Sequence, residues 1–265
     1  MKYQIKCVHC QEKVSDFADW FVLNQTCPKC GSKHAEVIYN ADYSKLKDLY
    51  TNQVDNFFHY FDFLPLEKKD NIVSSKEGAI PIERWSYLED YAKEAYGINC
   101  EVLVYRNDLN GGTATFKDVA AALAASLFKE NNISAYCMAS TGNTATAYSK
   151  YLSMASVKFT VFVPNCVEKE TVEAIKSYKQ DIRIADGDYA YAKMLAADFH
   201  NQNKVLISAG NIDPIRMEAK RTMVFEFMRQ LGKMPDVYIQ AVSGGTGPIA
   251  IDKGVREIES YYPEV

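Results

Sequence analysis

Between residues 134 and 258, short apolar runs alternate with longer stretches of helical periodicity. That rhythm limits the fold more than any other feature of the chain. The spacing predicts strands at 134–138, 158–163, 182–185, 205–208 and 237–242. It predicts helices at 143–154, 167–178, 189–199, 214–231 and 249–258. Apolar strands linked through helices by short loops imply an α/β fold, a parallel sheet flanked by helices on both faces. Ligands of such folds bind beyond the carboxyl ends of the strands. At 265 residues and 48% hydrophobic, the chain is long enough to bury a sizeable core.

Upstream of this region the pattern is less regular. Residues 39–63, rich in Tyr and Phe, read as a helical connector whose aromatics face a larger body. Residues 74–82 are a loop, 83–96 a helix closed by Gly97, and 100–105 a strand.

Three loops carry candidate chemistry. In Thr113-Ala114-Thr115-Phe116-Lys117-Asp118, a lysine stands between the turn Asn110-Gly111-Gly112 and strong helix formers. That places Lys117 in the first turn of a helix, just past a strand. There the positive end of the helix dipole disfavours an ammonium. An amine that deprotonates easily suits covalent attachment to an aldehyde; an ordinary surface lysine is the bland alternative. In Ala139-Ser140-Thr141-Gly142-Asn143-Thr144, hydroxyls, a glycine and an amide at a helix start can cradle a carboxylate. The same residues also serve as a helix cap with turn chemistry. In Ser243-Gly244-Gly245-Thr246-Gly247, bare N–H groups can wrap a phosphate. A reactive lysine, a carboxylate cradle and a phosphate nest together suit pyridoxal 5′-phosphate and an amino-acid substrate.

The N-terminus carries separate chemistry. Cys7-Val8-His9-Cys10 and Cys27-Pro28-Lys29-Cys30 are two C-x-x-C knuckles sixteen residues apart. Four thiolates at this spacing suit a tetrahedral structural Zn2+, with iron or a redox dithiol pair as alternatives. His9 and His34 are bystanders on this reading. Cys100, Cys137 and Cys166 are expected to be small buried hydrophobes. No export signal or long apolar window is visible. With seven cysteines, four of them in knuckles, the expected compartment is reducing and cytoplasmic. A net charge of −4 gives no electrostatic reason to expect nucleic acid, and no membrane partner is expected.

These residues resemble the threonine synthase family, fold-type II pyridoxal-phosphate enzymes. Thr113 to Asp118 is similar to the family's Thr-Gly-Ser-Phe-Lys-Asp, and Ser140-Thr141-Gly142-Asn143-Thr144 matches its Ser-Thr-Gly-Asn-Thr loop without change. Glu77-Gly78-Ala79-Ile80-Pro81-Ile82 is similar to the early Gly/Thr-Pro-Leu segment. Ile212-Asp213-Pro214-Ile215-Arg216, followed by Lys220-Arg221-Thr222, resembles Asn-Pro-x-Arg…Gln-Lys-Thr. The glycine loop is nearer the Gly-Gly-Thr form of cysteine-synthase relatives.

The resemblance implies that Phe116, Lys117, Asn143 and Ser243 to Gly247 contact the cofactor, with Lys117 catalytic. It implies that Ser140, Thr141, Asn143, Thr144 and Arg216 contact the substrate. The implied activity is a lyase making threonine and phosphate from O-phosphohomoserine and water. Another β-replacement or β-elimination on serine-like amino acids is the alternative, as is an inactive zinc-binding assembly module. A homodimer is a further expectation.

Departures from the family pattern bear on the phosphate-bearing substrate more than on the cofactor. Gly210 and Asn211 stand for Asn and Ser, Val119 for Arg, and Tyr105-Arg106-Asn107-Asp108 for Lys-x-Glu. The expected organisation is a zinc-ribbon-like unit at 1–38, the first part of a large domain at 39–108, and an α/β body at 109–265. A smaller domain, at about 119–205, is inserted between the lysine and the glycine loop. The family's chains run on past Tyr261-Tyr262-Pro263-Glu264-Val265, with a Ser or Thr facing the pyridine nitrogen. That leaves three readings: a fragment, a part supplied by another chain, or a reduced and inactive protein.

Overall fold

The computed structural model describes residues 1–51, 53–259 and 261; residues 262–265, at the end of the chain, lie outside the described residues. The first strands are β1 (Tyr3–Cys7), β2 (Lys13–Val14) and β3 (Ala35–Tyr39), antiparallel in the order β2-β1-β3. A short helix, α1 (Phe17–Val22), lies between β2 and β3 in the chain. The Asp16 carboxylate caps it by accepting the Asp19 N–H at 2.9 Å.

Two 3-10 turns, Tyr43–Leu49 and Phe57–Phe63, replace the helix expected for the connector. Phenylalanine or tyrosine at 57, 58, 60, 61 and 63 leaves no polar stripe for a solvent-facing helix side. The carboxylate of Asp42 and the amide oxygen of Asn56 start the two turns. The aromatics do go inward: Tyr43, Phe57, Phe58, Tyr60 and Phe63 are buried.

β4 (Ile82–Arg84) pairs antiparallel with β5 (Leu103–Tyr105), so the helix between them, α2 (Ser86–Tyr96), starts later than the spacing predicts. It ends as expected on Gly97, at φ +67°. α3 (Asp118–Glu130) follows the lysine loop.

The α/β repeat then runs β6 (Ala135–Ala139), α4 (Asn143–Met154), β7 (Lys158–Val163), α5 (Lys169–Ser177), β8 (Asp181–Ile184), α6 (Tyr189–Asn203) and β9 (Leu206–Ile207). The four strands form a parallel sheet in the order β8-β7-β6-β9. Side chains alternate across it. Tyr136, Met138, Phe159, Val161 and Val163 join the main core, while Phe162 packs with Ala192 and Ala196 of α6. Cys137 is buried on the α6 side; Cys100 and Cys166 are exposed, against expectation. Both lie in connecting loops, where no core reaches them.

α7 (Pro214–Leu231) and α8 (Thr246–Glu259) complete the described chain. α3 lies against α4 and α7, buried from Asp118 to Phe128. Alanines at 120, 121, 122, 124 and 125 allow those neighbours to approach closely. The N-terminal sheet joins the same core: Tyr3, Ile5, Phe17, Trp20 and Phe21 cluster with α3, and Phe21 meets Phe128 edge-on.

The strand expected at 237–242 is not formed. Val237, Ile239 and Val242 are 73%, 89% and 65% exposed, and no strand runs beside them among the described residues. An isolated extended segment has no ladder to complete its backbone hydrogen bonds.

Candidate active site and cysteine cluster

The lysine loop is built around Asp118. Its buried carboxylate accepts the N–H groups of Thr113 (3.0 Å) and Thr115 (2.8 Å) and the Thr113 hydroxyl (2.7 Å). Burial pushes its pKa up against the pull of those donors. The backbone needs such anchoring because Ala114 sits at φ +55°, a left-handed conformation that a methyl group disfavours. Gly112, at φ +97°, admits no side chain: a Cβ would lie 2.3 Å from the Tyr151 hydroxyl. Lys117 emerges as the residue just before α3. The strand ahead of it, β5, is half of an antiparallel hairpin rather than part of the parallel sheet.

Lys117 lines an open cleft together with Thr144, Tyr148, Asn211, Arg216, Lys220, Ser243, Gly244 and Thr246. A second recess, which shares Lys117, Lys220, Ser243, Gly244 and Thr246 with the first, is also walled by Phe116 and residues 240–248. The elements explain this convergence. α3 and α4 bring Lys117, Thr144 and Tyr148. α7 brings Arg216 and Lys220 one turn apart, and the glycine loop opens α8.

Two glycines are needed for the loop's shape. A Cβ on Gly244 would lie 2.1 Å from Asn211 Oδ1, and Gly245 has φ +78°. α8 begins at Thr246, three residues earlier than expected, so the loop leads into a helix N-terminus.

Electrostatically the cleft is cationic. Arg216 donates to Ser208 Oγ at 2.8 Å and lies 3.8 Å from Asp213. Its Nε and the Tyr148 hydroxyl are buried without hydrogen-bond partners. The Lys220 ammonium lies 2.5 Å from Thr246 Oγ1 and 4.4 Å from the Phe116 ring centroid. Burial, then the Arg216 charge, lowers the Lys117 pKa. Burial, then Lys117 and Arg216, lowers that of Lys220 to about 7. Three basic side chains share one carboxylate, Asp213, which also caps α7 by accepting the Ile215 N–H at 3.0 Å.

The expected site residues thus divide. Phe116, Lys117, Thr144, Arg216 and Ser243 to Gly247 wall this space. Ser140 is buried, with its Oγ accepting the N–H groups of Ala145 (3.2 Å) and Gly142 (3.4 Å), a capping role. Thr141 and Asn143 are exposed and do not line either recess. Lys220, Tyr148 and Asn211 were not picked out as site residues. The available signal was a basic residue one turn from Arg216 on α7; Tyr148, within α4, and Asn211, in the turn before α7, gave none of their own.

The residues fit pyridoxal 5′-phosphate: a lysine with a weakened proton, a glycine loop at a helix start, and buried donors lacking acceptors. The fit is to an anionic aldehyde, since the local charge is positive and one amine is free to react.

The four knuckle cysteines also converge. All their Sγ atoms lie within 4.8 Å of one another, with Cys7–Cys30 at 3.6 Å and Cys10–Cys27 at 3.4 Å. Tetrahedral thiolates at ~2.3 Å from zinc are about 3.8 Å apart, so the spacing is compatible with that ion. The two knuckles repeat each other: Gln11 and Gly31 donate back to Cys7 and Cys27 carbonyls at 3.0 and 2.9 Å, both at positive φ. His9 and His34 meet edge-on nearby and are not part of the cluster.

Comparison with known proteins agrees with this geometry. Residues 73–265 match the family described as pyridoxal-phosphate dependent enzyme. The chain is 28% identical over 262 residues to a threonine synthase of Methanosarcina acetivorans, covering 97% of this chain and 61% of that protein. It is 26% identical over 254 residues to one from Methanocaldococcus jannaschii, covering 89% and 61%. It therefore spans about three-fifths of the length of these relatives. A cysteine synthase from Entamoeba histolytica shares the fold at TM-score 0.63 and 14% identity, over 72% of this chain and 58% of that one. Escherichia coli diaminopropionate ammonia lyase does so at TM-score 0.57 and 17% identity, over 83% and 61%. With a fold-type II architecture, a lysine in a cationic cleft and a family match over most of its length, the chain belongs to the pyridoxal-phosphate dependent enzymes.

Proposed function

We propose that the chain carries the catalytic site of a threonine synthase-type lyase acting on a small phosphorylated amino acid, O-phosphohomoserine. The observation behind this reading is the convergence of Lys117, Arg216 and the Ser243–Gly247 loop on one cleft. The cofactor, when bound, withdraws electron density from the substrate's α-carbon. Lys117 would hold the aldehyde and would then move protons among the α-, β- and γ-carbons, the last becoming the methyl group of threonine, a role its lowered pKa supports. The glycine loop and the start of α8 bind the cofactor phosphate. Arg216 pairs with the phosphate that leaves the γ-carbon, and Thr144 at the start of α4 receives the substrate carboxylate. Water adds at the β-carbon to give threonine. The cysteine cluster holds a structural Zn2+.

A second reading, β-replacement or β-elimination on serine-like amino acids, is favoured by Gly210 and Asn211. These replace the family's phosphate-binding Asn and Ser. Incubation with O-phosphohomoserine should release phosphate and threonine; ammonia or pyruvate from serine derivatives instead would favour the second reading. Protein reconstituted with pyridoxal 5′-phosphate should show a visible absorption band that Lys117→Ala abolishes. A colourless wild type would end both readings.

A further inference from the structure

The cleft holds more positive charge than this chemistry uses. Lys220 is 2% exposed, one turn beyond Arg216 on α7, with no role assigned above. Its neighbours are poor partners for a buried ammonium: the Thr246 hydroxyl at 2.5 Å and the Phe116 ring face at 4.4 Å. Burying a charge on such terms is costly. The charged and titratable groups facing it are Lys117 ahead of α3, Arg216 and Asp213 from its own helix, and Tyr148 from α4. Asp213 is the one carboxylate among them; it caps α7 and faces Arg216. Burial and two like charges bring the amine's pKa to about 7, so it is largely neutral above that pH.

The Arg216 Nε is buried with no hydrogen bond and only the Asp213 carboxylate 3.8 Å away, so a donor here is left for an anion.

We propose that Lys220 is the charged arm of a phosphoryl-anion subsite built with Thr246 and the start of α8, and that it takes up a proton from solvent when the dianion binds. The inference rests on the reading that this cleft takes pyridoxal 5′-phosphate. It commits to the cofactor's phosphate because Lys220 touches the glycine-loop side, at Thr246. No heavy-atom bond changes: the amine and a solvent proton become an ammonium beside two phosphoryl charges. Coupling of this kind makes affinity fall as pH rises above 7, where each uptake event must draw on a scarcer proton.

Pyridoxine 5′-phosphate is the probe, because it has no aldehyde and leaves Lys117 chemistry silent. Titration calorimetry of the full chain at pH 8, in two buffers of different ionisation enthalpy, counts the protons. About one proton should be taken up per ligand bound by the wild type, and none by Lys220→Gln. At pH 7 the variant should bind about ten- to a hundredfold more weakly, as loss of a charged hydrogen bond implies. The gap should narrow by pH 9. Unphosphorylated pyridoxine should show no difference between the two proteins, and inorganic phosphate should reproduce the proton uptake. Lys220→Met, apolar and of similar length, guards against an effect peculiar to glutamine.

Binding by the wild type without proton uptake overturns the inference, as does wild-type affinity in the two Lys220 variants. A visible band with pyridoxal 5′-phosphate alongside either result leaves the cofactor reading standing. Proton-coupled phosphate binding with no such band sinks the cofactor reading instead. Absence of both defeats both.

Discussion

Two substitutions in the lysine loop should move stability in opposite directions. Ala114 is exposed and held at φ +55°, where an L-residue with a Cβ costs roughly 1–2 kcal/mol. Ala114→Gly removes that strain but adds about 0.4–1 kcal/mol of unfolded-state entropy, leaving a net gain of about 0.5–1 kcal/mol. No packing is lost, because the methyl is in solvent. Gly112 shares the positive-φ requirement, yet its Cα faces inward: a Cβ there would lie 2.3 Å from the Tyr151 hydroxyl and 2.7 Å from Asp118 Oδ1. Gly112→Ala should therefore incur both strain and overpacking, roughly 2–4 kcal/mol in total. Urea unfolding of the cofactor-free protein, with equal slopes for all three proteins, measures both. The glycine variant should raise the midpoint and the alanine variant lower it. Gly112→Ala should also weaken the visible band, since Lys117 hangs from the same turn. If both changes shift the midpoint the same way, the loop does not have the backbone described.

The remaining predictions concern charge and metal. Lys220 has its folded pKa lowered, so between pH 7 and about 10 the unfolded chain binds the extra proton; its contribution to stability rises there by up to about 1.4 kcal/mol per pH unit and levels off below pH 7. Lys220→Met should flatten that slope in cofactor-free protein, and an unchanged slope would mean the amine is not buried as found. Glu218 accepts from Tyr39 (2.8 Å) and Arg221 (3.0 Å) and pairs with Lys253, all inside the protein; Glu218→Gln should cost about 3–5 kcal/mol in a thermal or urea melt. Purified protein should hold one zinc per chain by elemental analysis, and Cys27→Ser should release it and lower the melting temperature. A zinc-free wild type of equal stability would refute the metal assignment.

The α/β rhythm was readable because β6 and β7, the central strands, are apolar on both faces, while the helices between strands carry their own period. Each of β6 to β9 falls within about two residues of its expected position. The cysteine pairs were equally plain, since their spacing is itself the geometry. The stretch at 237–242 misled because Val237, Ile239 and Val242 have a strand's composition, while pairing depends on a neighbour that sequence does not name. The connector misled for the reverse reason: its aromatics are core residues, but crowding on every side favours tight turns. Lys220 escaped notice because a lysine on a long helix is ordinarily solvated. Only the burial of α7 on nearly all sides, from Pro214 to Met228, makes it exceptional. Thr141 and Asn143 show the converse limit. An unchanged motif fixes their identity, while their reach toward the cleft depends on how α4 is set.

α7 ties the two charge systems together, and its burial explains why they behave differently. One turn from the cleft, Arg221 is held by Glu218, Glu257, Tyr43 and the Phe63 carbonyl, and Lys253 by Glu218 and the Val37 carbonyl. Every cation there has a carboxylate or carbonyl, and the network locks β3 and the first 3-10 turn to α7 and α8. On the neighbouring face, Arg216 and Lys220 have hydroxyls, a ring and one shared carboxylate. The same helix, equally buried, thus carries one satisfied cluster and one that lacks its anions. Unpaired buried charge is too costly to serve as scaffolding. Its placement against a glycine loop and a reactive lysine is accounted for by an anionic ligand that completes the cluster. The rigid network next to it then keeps the Arg216 and Lys220 side chains in place before the ligand arrives, so less ordering is required on binding.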